Sequence, residues 1–334
     1  MPVVSSEARV AIAGTAVVAA AAISAWVATV TLNGFGPARV PAEAPARLAD
    51  GGDPFPRTVT DDSGHQITIA TRPERIASNS ITVDGLLLSI LDRDRIVAVS
   101  RYSLDRRYSD VAATAARLGL PSSESSEVVL SLLPDLVFAG LHARAEWLDL
   151  VRHGDAPIYR VGDTVRTMSG LSELIRKLGY ITGEDARAEE LAASIELRFQ
   201  RALDRGPAAP GRGPRVLGYD RSLSYSYGTE TIFHDIVSAL GATNVAAEQG
   251  MVSYGRVSSE QVARWNPDWI VTGALPGDGS GDQTTLLRDP AFAVTEAGRN
   301  GRILVLPPHI FLSTSHRVID LAERLAVALY PDPA

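Results

Sequence analysis

One sixteen-position phrase occurs twice in the chain. Ser-Ser-Glu-x-Val-x-x-x-x-Pro-Asp-x-Val/Ile-x-x-Gly runs from Ser125 to Gly140 and again from Ser258 to Gly273, so that Glu127 and Glu260 stand 133 positions apart. Each copy spells a short helix followed by a buried strand. Ser125 and Ser258 suit the N-cap, Glu127 and Glu260 fall in the first turn beside the positive end of the helix dipole, and Pro134 and Pro267 end the helix. A repeat at this distance predicts two similar lobes, with a cleft between them as the natural place for a ligand.

The 334 residues are enough for two domains, each with its own apolar core. Lys and Arg number 32 against 39 Asp and Glu, a net charge of −7, so there is no basic footprint for nucleic acid. The chain contains no cysteine. Disulfides, iron–sulfur clusters, thiolate zinc sites, a cysteine nucleophile and a lipid-modified N-terminal cysteine are thereby excluded.

From Val10 to Leu32 there is neither a charged residue nor a proline. At about 1.5 Å per residue such a run crosses a bilayer, and it is longer than the usual h-region of a cleaved signal peptide. Small residues at Ala22, Ser24, Ala25 and Ala28 offer cleavage points, but the length favours an uncleaved anchor over residues 1–32. Arg9 and the amino terminus favour an N-in orientation, with the bulk of the chain exported to the periplasm or cell envelope. Residues 33–56, rich in Gly, Pro and Ala up to about Asp53, read as a flexible tether.

The folded part is expected to open with a hairpin, Thr58–Thr60 and Gln66–Ile69 around the turn Asp61-Asp62-Ser63-Gly64. Short apolar strands then alternate with helical stretches. Arg75–Ser78, Ile96–Ser100, Leu136–Gly140 and Ile158–Val161 are the strands, and Val83–Leu91 is the clearest helical segment among them. Continuous apolar strands between helices predict a parallel sheet covered on both faces. Leu191, Ile195, Phe199 and Leu203 recur at helical spacing, with Glu184 and Asp185 early and Arg198, Arg201 and Arg205 late, predicting one long helix from Gly183 to about Arg205. After the Pro/Gly-rich run Gly206–Pro214 the alternation restarts with strand Val216–Tyr219, helix Thr231–Leu240, strand Trp269–Thr272, strand Ile303–Leu306 and helix Arg317–Leu329. The expected organisation is α/β: two Rossmann-like lobes, 57–182 and 207–334, joined by a long helix, 183–206, and preceded by a hydrophobic N-terminal helix. The Gly/Asp loop Pro276–Gly281 has no phosphate-binding spacing.

No G-x-S-x-G elbow, P-loop or His-Glu-x-x-His motif is present. Ser315 and His316 are adjacent and diverge on a helix, so they form no dyad. Glu127 and Glu260, at helix starts on separate lobes, lie too far apart for a general acid/base pair, which needs a separation under about 10 Å. Each alone is explained by the helix dipole. Together, two equivalent exposed carboxylates suit a partner with two matching basic sockets.

The run from Thr58 to Arg75, the run Arg95-Ile-Val-Ala-Val-Ser-Arg-Tyr102, the doubled Glu…Pro-Asp phrase and Gly301-Arg-Ile-Leu-Val-Leu-Pro307 resemble one family. It is that of the periplasmic substrate-binding proteins of ferric-siderophore, haem and cobalamin ABC importers, and the resemblance covers about Thr58 to Pro331. It implies two α/β lobes on a rigid helix and a ligand in a shallow cleft between the lobes. It also implies one glutamate per lobe, here Glu127 and Glu260, docking on arginines of an ABC permease. The long apolar N-terminus and the lack of cysteine depart from the family's usual leader. Ser78 to Asp84 matches the family's segment only loosely, so ligand identity does not carry over.

In an open α/β sheet the cleft is lined by loops at the carboxyl ends of strands. The strand assignments therefore nominate Ser80, Arg101, Tyr102, His142, Tyr225, Tyr227, Tyr254 and His309. Arginine suits anionic oxygens, and tyrosine offers a flat apolar face with a hydroxyl. Such a lining fits a flat, anionic or metal-bearing ligand such as a ferric siderophore, haem or corrinoid. Of the six histidines, His142 and His309 could converge, with His234 near them, which leaves direct metal binding as an alternative. A membrane-anchored ligand-sensing or adaptor domain is the other. The expectation is a binding protein rather than an enzyme, with no cofactor of its own and no nucleic-acid partner.

Overall fold

Asp61 organises the first turn of the fold by accepting from Ser63 N, Ser63 Oγ and His65 N at 2.9, 2.8 and 2.8 Å. It joins β1 (Arg57–Thr60) to β2 (Gln66–Ile69) in an antiparallel hairpin. The computed structural model describes residues 54–162, 165–207, 213–274 and 283–331. The apolar segment from Val10 to Leu32, the tether up to Asp53 and the loop Pro276–Gly281 lie outside them. Among the described residues no helix is long and apolar enough to cross a membrane.

β3 (Ile76–Ser78), β4 (Ile96–Ala98), β5 (Leu136–Gly140) and β6 (Ile158–Val161) form a four-stranded sheet in the order β4-β3-β5-β6, parallel throughout. All five residues of β5 are buried. This is the result of covering the sheet on both faces, and it explains why the strand reads as an unbroken apolar run. The second sheet contains β7 (Arg215–Asp220), β8 (Tyr225–Tyr227), β9 (Thr243–Asn244), β10 (Tyr254–Arg256), β11 (Trp269–Gly273) and β12 (Ile303–Leu306). Its parallel part, β9-β7-β11-β12, repeats the order β4-β3-β5-β6, and in each the third strand comes from the duplicated phrase. The second sheet differs by an antiparallel arm, β8 on β7 and β10 on β8. Tyr254, expected in a loop, therefore stands in a strand, because its backbone pairs with that of Tyr227.

The helices that position the site are α1 (Ile81–Ile90), α2 (Ser126–Ser131), α3 (Met168–Thr182), α4 (Asp185–Leu203), α5 (Ser259–Trp265), α6 (Pro308–Phe311) and α7 (Val318–Leu329). α2 and α5 are the helices of the repeated phrase. Ser125 Oγ accepts from Val128 N, and Ser258 Oγ accepts from Gln261 N in a reciprocal capping box.

The passage between the sheets is a helical pair rather than a lone helix. α3 ends at Gly183, whose φ of +76° is open to glycine at little cost, and α4 folds back along it. α4 has 19 residues, about 28 Å at 1.5 Å per residue. It buries Ala188, Ala192, Ile195 and Ala202, with Leu191, Phe199 and Leu203 partly buried beside them. Small alanines let α4 lie close against its neighbours, so the stripe that faces the core is narrower in side-chain volume than its leucines suggest.

Both ends of α4 are clamped. At its start, the nearly buried Arg95 donates to Glu184 at 2.6 Å and to Thr182 O at 2.7 Å, Arg72 also pairs with Glu184, and Arg57 donates to Asp185 at 2.9 Å. Near its end, Arg198 grips Asp320 and Glu323 of α7, each at 2.6 Å. One continuous apolar cluster runs from Ile76 and Leu86 through Ile175 and Ile195 to Val216, Ile236 and Leu325. Two smaller clusters cover the outer faces of the two sheets. A shared close-packed core resists large relative motion of the lobes.

Candidate functional site

α1 starts at the carboxyl end of β3, and α6 follows the carboxyl end of β12, so the two sheets bring these helices toward one another. Between them lies a narrow groove lined by Ile81, Gly85, Tyr108 and Asp110 from the first lobe, and by His309 and Ser313 to Ser315 from the second. Its enclosed part measures about 40 Å³, room for a water or two. The floor is closed by direct contact. Thr82 Oγ1 and Thr314 Oγ1 share a hydrogen bond at 2.5 Å, and a Cβ added at Gly85 would stand 3.2 Å from Ser315 Cβ. At one end Arg317 Nε donates to Asp110 Oδ2 at 2.8 Å. A large ligand can therefore only rest above this floor, between the walls.

The first wall is built on Asp84, a buried carboxylate in an otherwise apolar helix. Its Oδ2 accepts from Ser100 N at 2.7 Å and from Ser103 Oγ at 2.6 Å, tying the short 3₁₀ turn 101–104 to α1. That turn carries Arg101 and Tyr102. Arg101 lies 4.7 Å from the Tyr102 ring centroid and pairs with Glu124 at 3.1 Å. Tyr102 meets the groove residue Tyr108 edge to face at 5.8 Å. Ser80 stands at the N-cap position of α1 but makes no side-chain cap bond; the residue is buried and its Oγ has no hydrogen-bond partner among the described residues.

An aromatic cluster of the second lobe adjoins the groove through the helix that carries His309. Alternation along β8 puts Tyr225 and Tyr227 on one face, with Tyr254 and Arg256 of β10 opposite them. Tyr227 is buried against Phe233, Tyr254 and Phe311, with centroids 5.7, 5.5 and 5.4 Å away. Burial raises the phenol pKa of both Tyr227 and Tyr254, so both stay neutral hydroxyls. Phe311 sits two residues beyond His309 on α6 and links this cluster to the groove. Tyr225 lies under Arg256, 6.0 Å from its ring centroid.

Of the residues nominated from sequence, the structure brings His309 into the groove, puts Arg101 and Tyr102 beside it through Tyr108, and gathers Tyr227 and Tyr254 behind Phe311. His142 is exposed after β5 and does not line the groove. His234 lies near Ser238 and Asn244, each at 3.5 Å. Among the described residues no three His, Asp or Glu side chains gather as a metal site. Sequence reasoning missed Asp84, Tyr108, Asp110 and the Ser313 to Ser315 run. Only Asp84 had a local signal, a lone carboxylate in an apolar helix. Glu127 and Glu260 are both exposed. The Ser258 side chain hydrogen-bonds Glu260 and holds its carboxyl below the usual range.

Residues 76–310 match the model of a family described as periplasmic binding protein. A cobalamin-binding protein of Halobacterium salinarum (strain R1) is 27% identical over 287 residues, 84% of this chain and 76% of its own length. The uncharacterized ABC transporter substrate-binding lipoprotein YvrC of Bacillus subtilis is 23% identical over 284 residues, 83% of this chain and 87% of its own. Among solved structures, the periplasmic heme-binding protein RhuT of Roseiflexus sp. RS-1 in apo form superposes with a TM-score of 0.64 at 26% identity. That match covers 77% of this chain and 98% of RhuT.

Proposed function

The chain belongs to the periplasmic binding protein family, and from that premise we propose that it captures a corrinoid between its lobes and hands it to an ABC permease. Membership makes it a non-enzymatic binding component of importers of the cobalamin, haem or hydroxamate-siderophore kind. The single observation that favours a corrinoid is the chemistry of the groove. Its lining is rich in hydroxyls, from Tyr108, Ser109, Ser313, Thr314 and Ser315. Two cations beside it are paired with acids, Arg317 with Asp110 and Arg101 with Glu124. Haem propionates and catecholates demand cations, whereas the amide-fringed corrin needs neutral donors and acceptors and a flat apolar wall. Relatedness to a cobalamin-binding protein points the same way.

In this reading Tyr102 and Tyr108 face the ligand from the first lobe, with Ser80 and Arg101 supporting them. Tyr254, Tyr225 and His309 face it from the second, while Tyr227 forms the packing behind. The lobes are 57–182 and 207–334, with 183–206 as the link, stiffened by its packing along α3. Delivery then depends on docking, with Glu127 and Glu260 each entering a basic socket of the permease, and residues 10–32 hold the protein at the outer face of the inner membrane. Titration of the purified protein with cyanocobalamin, haemin and ferrichrome, followed by absorbance and calorimetry, tests the ligand. Micromolar or tighter binding of cyanocobalamin is expected, and haemin binding with no response to cyanocobalamin overturns the assignment.

A further inference from the structure

The two lobes repeat a device whose arginine lies outside the duplicated phrase. Arg75, just before β3, donates from Nε to Leu132 O at 3.0 Å and to Leu133 O at 3.1 Å, the last carbonyls of the α2 segment. Arg215, at the start of β7, donates from Nη1 to Trp265 O and Asn266 O, both at 2.9 Å, at the corresponding end of α5. The Pro-Asp aspartates complete each latch from the other side. Asp135 accepts from Glu74 N and Arg75 N at 2.7 and 2.9 Å and returns its own N–H to Arg75 O at 2.9 Å. Asp268 accepts from Arg215 N at 2.8 Å and likewise donates to Arg215 O at 2.9 Å.

The backbone at the latch is held against its preference. Leu133 and Asn266, equivalent in the repeat, have φ of +47° and +46°. The residue before a proline favours an extended conformation, and the left-handed region brings the Cβ of a leucine too close to the following carbonyl. Asparagine tolerates the same geometry more readily. The guanidinium fork takes the carbonyls that this turn leaves open, and so it fixes how each helix leaves its strand.

We infer that Arg75 and Arg215 are positioning residues that hold α2 and α5 at a set attitude and thereby fix the spacing of Glu127 and Glu260 presented to the permease. This rests on the docking role proposed above for those glutamates. The latch acts at the far end of each helix from its glutamate, and neither arginine lines the groove. The leucine makes the first lobe more dependent on its arginine than the second.

The chain has no cysteine, so Glu127→Cys and Glu260→Cys accept spin labels at those two positions alone, and electron-electron double resonance reads the distance between them. Arg75→Ala is expected to broaden the distance distribution strongly and Arg215→Ala less. Leu133→Asn is expected to narrow it again in the Arg75→Ala background. Arg75→Lys, which keeps one donor nitrogen but not the fork, covers the case in which the alanine variant fails to fold, and should broaden it partly. An unchanged distribution in both folded arginine variants overturns the inference. Because this measurement needs no permease, the docking role is judged separately, by cyanocobalamin uptake with Glu127→Ala and Glu260→Ala on otherwise intact protein.

Discussion

Arg317 and Asp110 are 207 positions apart in sequence, yet Nε of one donates to Oδ2 of the other at 2.8 Å, closing the seam between the lobes at one end of the groove. The pair is partly exposed, so its contribution to stability is about 0–1 kcal/mol. Arg317→Met is expected to leave folding nearly unchanged while loosening the seam. It should weaken cyanocobalamin binding by roughly two- to fivefold, the equivalent of about 0.5–1 kcal/mol, in an isothermal titration.

Gly85 faces Ser315 across the floor of the groove, where an added Cβ would meet Ser315 Cβ at 3.2 Å. Replacing a glycine inside a helix by alanine ordinarily gains about 1 kcal/mol. Here Gly85→Ala is expected to gain nothing in urea denaturation. In a Ser315→Gly background, with the obstructing Cβ removed, the gain should reappear; a full gain in the wild-type background would show that the lobes do not touch there.

His316 lies beside that seam with Nδ1 buried and without a hydrogen-bond partner among the described residues. Burial lowers its pKa below the usual 6.5; Asp110 and Asp320 oppose the shift, and Arg317 and Arg198 add to it. The folded state therefore binds its proton later than the unfolded state as pH falls. Stability that is full above about 6.5 should decline as pH drops below that value toward the folded pKa. His316→Gln is expected to flatten this part of the melting-temperature profile between pH 7 and 5, and an unchanged profile would refute the assignment.

Glu127 and Glu260 are exposed and lie outside the groove. The double variant Glu127→Ala/Glu260→Ala is expected to keep its cyanocobalamin affinity and to lose uptake in cells that carry it in place of the native gene. Loss of affinity in the purified double variant would assign these residues to ligand binding instead.

Much of the architecture was legible because it depends on local patterns. The duplicated Glu…Pro-Asp phrase announced two similar lobes, since capping serines, a helix-ending proline and an apolar strand are all short-range signals. The unbroken apolar run from Leu136 to Gly140 announced a sheet covered on both faces, and the charge order from Glu184 to Arg205 announced the long helix. The antiparallel arm of β8 and β10 was not legible. Tyr225-Ser-Tyr227 and Tyr254-Gly-Arg256 are each three residues long, too short for periodicity to separate a strand from a loop.

The groove was decided by tertiary structure alone. Thr82 with Thr314, Gly85 with Ser315 and Asp110 with Arg317 are each separated by more than 200 positions, and only the folded lobes bring them within contact. The same holds for the latch, because Arg75 finds Leu132 and Leu133 across 57 and 58 positions through the pairing of β3 with β5. Sequence by itself determined which segments become helices and strands and that they come in two matching sets, since those preferences act between near neighbours. Which side chains face one another across the lobes depends on how the close-packed core through α3 and α4 sets one sheet against the other, and no local pattern records that.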